Sequence, residues 1–163
     1  MKRHFFSFLK EDWELTAAVI IVITGCLLGA GLSERYGLEF SQAVPVFAPL
    51  LTVQVFVVNF VIIGAIIAGG FALSIPSLFM AFTQSVGAGI AVHFVRAHLL
   101  FEVAALVLAL TAAFTIATGE VQYFREKRRR FREIISRKVK IYTVLTIIFL
   151  VWGALVECMG GAA

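Results

Sequence analysis

His98, Phe101 and Glu102 stand in the run HLLFEVAALVLAL, where a histidine and a carboxylate open a stretch otherwise suited to lipid. Their spacing of four puts both on one helix face, one turn apart. An ionisable side chain inside a membrane span is costly, so such residues face a protein interior or a watery cavity and are the first place to look for function. Glu102 has three readings: a ligand for a proton or cation, a hydrogen-bonding clamp to another helix, or a partner for His98. His93, His98 and Glu102 offer side-chain types that zinc accepts. Their spacing matches no closed metal motif, so no metal or other cofactor is assigned.

Asn59, Gln54, Gln84 and Ser85 are the other polar groups within apolar stretches. Hydrogen bonds of this kind between membrane helices contribute about 1 kcal/mol or less, so these residues are expected to hold helices together rather than line a conduit. The chain has no serine-nucleophile elbow, phosphate loop or HExxH signature, and no enzymatic activity is expected. Cys26 and Cys158 lie in apolar sequence, where a thiol acts as a small packing group.

The elements that must carry these residues are helices. Of 163 residues, 61% are hydrophobic and 15% charged, and the mean hydropathy is +0.98. A soluble domain of this size could not hide so much apolar surface. Five apolar stretches approach the roughly 20 residues that a helix needs to cross hydrocarbon. They cover about residues 13–32, 48–73, 77–95, 99–118 and 141–158. Period-two alternation is absent, which argues against a barrel. The expectation is an all-α polytopic bundle, one integral membrane domain over 1–163. The second stretch is long for an upright helix. Either it tilts, or VFAPLLTVQVF (residues 46–56) lies at the interface and turns inward near Pro49 and Gln54.

Charge fixes the expected orientation. Twelve of the 14 Lys and Arg fall before the first span or between the fourth and fifth, whereas Arg35 and Arg96 fall on the other side. The positive-inside rule then puts the N-terminus in the cytoplasm and the C-terminus outside. The first span reads as an uncleaved anchor, because its apolar run exceeds a signal core and Glu11, Asp12 and Glu14 crowd its start. The run FREKRRRFREIISRKVK reads as a cytoplasmic juxtamembrane helix at about 120–140. There Arg128, Arg129, Arg130 and Arg132 would meet anionic headgroups while Phe and Ile dip into lipid. Its position against a span favours lipid over nucleic acid. Membrane lipids are thus expected partners.

Small residues supply packing surfaces. Gly25 and Gly29 form a GxxxG pair, Ala65 and Gly69 repeat it, and Ser77, Ala81, Ser85 and Gly89 continue it. Ala105, Ala109, Ala113 and Ala117 do the same in the fourth stretch. Such stripes let helices approach closely where apolar burial alone gives no drive. Internal packing is the expected use.

At HLLFEVAALVLAL the sequence resembles the stage II sporulation protein M family, whose hallmark places histidine, phenylalanine and glutamate at the outer start of a transmembrane helix. His98, Phe101 and Glu102 match it. FVVNFVIIGAIIAGG resembles the family's asparagine-bearing span, with Asn59, Gly64 and Gly69 corresponding, and TQSVGAGI, with Gly87 and Gly89, sits where the family has a glycine-bearing helix. The likeness covers about residues 55–118. Ala97 and Leu99 depart from the family's proline and glycine, Gln84-Ser85-Val86-Gly87 lacks its asparagine–glycine pair, and the loop after the first span is short. The resemblance implies a non-catalytic component of the cell membrane that works with other envelope proteins. The short loop puts contact with wall-degrading partners in doubt.

The combined expectation is a self-associating, multi-pass membrane scaffold that organises or localises cell-envelope proteins, with Asn59, His98, Phe101 and Glu102 as its polar cluster. The alternative is a small transporter or channel with an outer vestibule around Glu102, His98 and Asn59. A conduit would need a continuous polar path to the cytoplasmic side, and below Glu102 the fourth span offers only Thr111, Thr115 and Thr118.

Overall fold

The computed structural model of the chain describes residues 12–37, 49–91, 97–126 and 137–160. The described residues form five α-helices: α1 (Trp13–Tyr36), α2 (Pro49–Ala68), α3 (Ile75–Ile90), α4 (Ala97–Glu126) and α5 (Arg137–Gly160). A 3-10 turn at Gly69–Ala72 extends α2. Windows within α1, α4 and α5 are long and apolar enough to cross a membrane, and α2 and α3 supply two shorter apolar helices.

Local sequence sets the helix ends. Glu14 lies in the first turn of α1 and Arg35 in its last, each placed to complement the helix dipole. Gly37 closes α1 with φ +57°, a left-handed cap that glycine adopts without a Cβ penalty, and its N–H donates to Ser33 O. Between α2 and α3 the chain reverses through Leu73 (φ 54°) and Ser74 (φ 60°), both left-handed without being glycine. Pro76 then sits in the first turn of α3, where its missing N–H costs nothing. Two hydroxyls secure this reversal: Ser74 Oγ donates to Ala113 O at 2.9 Å and Ser77 Oγ to Ile66 O at 2.6 Å.

Successive helices alternate in direction. Gly25 meets Ser85 and Gly29 meets Ile90, so α1 and α3 run parallel. Asn59 meets Glu102 and Gly70 meets Ala113, so α2 and α4 run parallel the other way. Gly153 packs beside Phe101 while Val139 packs near Ile116, so α5 opposes α4. The bundle therefore has an Asp12 end, where α1 and α5 begin, and a Gly37 end, where α4 begins.

α4 is the mast. It touches every other helix and the 3-10 turn, and Ala105, Leu106, Ala109, Leu110, Thr111, Ala112, Ala113 and Ile116 are all buried along it. Its alanines leave room for neighbours, which allows one helix to be surrounded. On the far flank, α1 packs closely on α3: Gly25 and Gly29 meet Ser85, Val86 and Ile90, and Gly89 meets Cys26. A Cβ at Gly29 would strike the Val86 carbonyl, and one at Gly89 would strike the Cys26 carbonyl. These helices touch backbone to backbone.

Several sequence expectations change. Gly25, Gly29, Gly69 and Gly89 sit at close contacts, but a Cβ on Gly64 or Gly87 would meet nothing within 4 Å among the described residues. Assigning these two to helix packing within the chain is therefore corrected: spacing identifies small residues but not which helix face is covered. α2 runs unbroken from Pro49 through Gln54, so there is no turn near Gln54. Residues 120–126 continue α4, and 137–140 already belong to α5. The middle of the expected juxtamembrane helix, with Arg128, Arg129, Arg130 and Arg132, lies outside the described residues.

At the Asp12 end, Trp13 stacks on Phe114 with centroids 6.1 Å apart, and Lys138 Nζ lies 2.8 Å from Asp12 Oδ1. The lysine is largely exposed, so the pair contributes about 0.2–1 kcal/mol.

The glycine contacts give a paired prediction. Gly29→Ala and Gly89→Ala should each lower stability by about 1–3 kcal/mol, because the obstacle is backbone and cannot rotate away. Gly64→Ala and Gly87→Ala should not lower it. Unfolding of purified protein in mixed detergent micelles reads all four.

Candidate functional site

Toward the Gly37 end, α2 and α3 stand over α4 and enclose a cleft of about 200 Å³. Its polar groups come from three helices at one depth: Asn59 from α2, Gln84 from α3 and Glu102 from α4. Matching depth follows from the hairpin. Ser77 bonds to Ile66 near the reversal, and counting seven residues along each leg brings Asn59 level with Gln84. The parallel run of α2 and α4 then brings Glu102 alongside.

Asn59 Nδ2 donates to Glu102 Oε1 at 2.7 Å. A carboxamide donor and a carboxyl acceptor at this distance, in a partly buried setting, form a short and well-made bond. Glu102 is twelve residues from Phe114, the partner of Trp13, so it stands about 18 Å along the helix from the Asp12 end. Ile62, Ile63, Leu106 and Leu150 wall the cleft on that side, and Leu99, Ala88 and Ala91 wall it toward the Gly37 end. Gln84 and Gly87 are exposed, so the cleft opens to the surface along them.

The remaining predicted residues divide. Phe101 turns to α5, its ring 6.1 Å from that of Phe149. His98 lies half-buried one turn before Glu102, its carbonyl facing Gly153 across the α4–α5 contact, and it is not among the residues lining the cleft. Phe101 therefore serves the α4–α5 face, whereas Asn59 and Glu102 meet across the α2–α4 face. His93 lies outside the described residues, and among those described no three His, Cys, Asp or Glu side chains gather as a metal would require.

Gln84 is the residue that sequence reasoning undervalued. It reads as one more helix-gluing amide, yet it has no hydrogen-bond partner among the described residues and lines the cleft beside Glu102. The legible signal was a glutamine mid-helix, followed at three, four and seven residues by Gly87, Ala88 and Ala91 on its own face. Apart from Ser74 and Ser77 at the α2–α3 reversal, several hydroxyls are spent locally. Ser85, Thr111, Thr115, Thr143 and Thr146 each donate to the carbonyl four residues earlier.

A scan against protein-family models finds no match for this chain, and searches of curated proteins and of solved structures find none either.

The Asn59–Glu102 bond should show in a double-mutant cycle. Glu102→Gln keeps an acceptor for Asn59 Nδ2 and should fold as the wild type does. Asn59→Leu and Glu102→Leu should each destabilise, with a coupling energy of about 0.5–1.5 kcal/mol between them. Purely additive losses would mean that the two side chains do not act together.

Proposed function

We propose that the chain is a non-catalytic, multi-pass scaffold of the cell membrane that organises or localises envelope proteins through one half of its bundle. In this reading all five helices cross the membrane. The Asp12 end is cytoplasmic and the Gly37 end outside, as the distribution of Lys and Arg requires. The alternating helix directions are consistent with that topology.

The observation that carries the reading is the shape of the polar cleft. It is blind. Between Glu102 and the Asp12 end, the interior is filled by Ile63, Leu106, Ile66, Ala109, Leu110, Ala113 and Ile116. Thr111, Thr115 and Thr146 in this half spend their hydroxyls on their own helices. A conduit needs a polar path through that half, whereas a binding notch needs only the open end. The outer-vestibule alternative retains one supporting observation, the cleft itself.

The resemblance to the stage II sporulation protein M family points the same way. In this reading Glu102 fixes the outer half of the bundle or shapes a partner-binding notch, and self-association would multiply the notches presented.

Two measurements test this. Single cysteines introduced at Lys2 and Ala163 in a chain with Cys26 and Cys158 replaced should differ. An impermeant maleimide added to intact cells should label the second and not the first. The reverse pattern, or equal labelling, refutes the orientation. In crosslink-and-capture from native membranes, wild type should retain a defined envelope protein that Glu102→Ala, expressed equally, loses. Equal capture would overturn the scaffold role of this notch.

A further inference from the structure

We propose that the reversal between α2 and α3 is a lipid-contacting element. Its apolar side chains insert among the acyl chains of the leaflet at the Asp12 end, and the turn does not emerge into water. The inference rests on the reading that the helices cross a membrane, and it is independent of their orientation and of any scaffold role.

The turn is built the opposite way from one that faces water. Aqueous turns are dominated by Gly, Pro, Asn, Asp and Ser, whose polar groups stay available to solvent. Here the serines point into the bundle. Ser74 is 3% exposed and Ser77 is fully buried, and their hydroxyls donate to Ala113 O and Ile66 O. The Leu78 N–H donates to Ser74 O at 2.9 Å and closes the first turn of α3. The side chains turned outward from the described bundle are Leu73 (56% exposed), Ile75 (71%) and Phe79 (70%). Leu73 even holds a left-handed position, where glycine would be less strained. Polar groups satisfied internally and apolar groups turned outward are what hydrocarbon requires of a chain reversal.

Depth and charge agree with this. Ser74 ties the turn to the level of Ala113, and the next residue of α4, Phe114, stacks on Trp13. Tryptophan is enriched where membrane meets water, so the turn stops at that layer. α4 continues past it, reaching Glu120 about 10 Å and Arg125 about 18 Å farther along its axis. α3 has 16 residues and is therefore about 24 Å long, against roughly 30 Å of hydrocarbon. It has no length to spare for carrying the turn into water. From residue 40 to residue 95 the sequence has no Asp, Glu, Lys or Arg, whereas the other segments at this end carry Asp12, Glu14, Glu120, Arg137 and Lys138. Acyl chains fit an uncharged apolar tip that continues the exposed Leu78 and Phe79 surface of α3.

The test places single spin labels on the full chain, with Cys26 and Cys158 replaced, in phosphatidylcholine vesicles. Relaxation by oxygen, which concentrates in lipid, is compared with relaxation by a nickel chelate, which stays in water and is loaded on both sides. Ala72 and Ile75 report the turn; both are exposed, so labels there should leave the fold intact. Val61 and Leu27 serve as lipid references and Arg125 as the water reference. At Ala72 and Ile75, oxygen access should match the lipid references, and chelate access should fall several-fold below that at Arg125. High chelate access at the turn, with Val61 and Leu27 still in lipid, would overturn this inference alone. Low access to both reagents would mean that protein covers the turn, either another part of this chain or a second copy, and would overturn it too. High chelate access at Val61 and Leu27 would instead refute the membrane-crossing reading on which it rests.

Discussion

A helix touched on every side must be thin, and that requirement on α4 governs the bundle. Ala105, Ala109, Ala112 and Ala113 give it a narrow waist, so α1, α2, α5 and the 3-10 turn can close around it. Gly70 completes the fit from the other partner, since a Cβ there would lie 2.8 Å from Ala113 O. Much of the exterior is apolar, with Ile20, Leu27, Val61, Phe79 and Leu100 exposed. Helices of this kind gain little from sequestering one more apolar side chain in lipid, and close packing with interhelical hydrogen bonds supplies the association instead.

Those hydrogen bonds are distributed unevenly, and the unevenness creates the site. Toward the Asp12 end, hydroxyls serve their own helix or fasten the α2–α3 reversal. Toward the Gly37 end, larger amide and carboxyl side chains meet across helices. Small residues on α3 opposite them, Gly87, Ala88 and Ala91, withhold the volume that would fill the gap. A cleft results because bulky polar groups and small apolar ones share a level. The same small residues would make a tight seam if a flat helix face met them.

Much of this was legible in the chain. Apolar runs bounded by charges marked the helices, and the depth of Asn59 and Glu102 could be counted from the ends of their stretches at 1.5 Å per residue. The four-residue stripes of α1, α3 and α4 likewise announced close contacts. Other features were illegible for identifiable reasons. Gly64 and Gly87 look like Gly25 and Gly29 in sequence, but a Cβ there would meet no described neighbour, because the side of a helix that is covered depends on its neighbours. Phe101 shares a motif with Glu102, yet its ring packs on Phe149 of α5.

The sequence by itself determined the all-helical class, the apolar lengths, the asymmetry of basic charge and the presence of one carboxyl in an apolar helix. These are properties of composition and of position along a single chain, and hydropathy and spacing report them directly. Only the tertiary structure decided that Glu102 bonds Asn59 rather than standing apart from it, and that Gln84 joins them at a cleft instead of gluing two helices. It also decided that α1 takes α3, and not α2, as its close partner. Each of those outcomes depends on how helices rotate about their own axes when packed. That rotation is set by the summed fit of many weak contacts, which no single stretch of sequence contains.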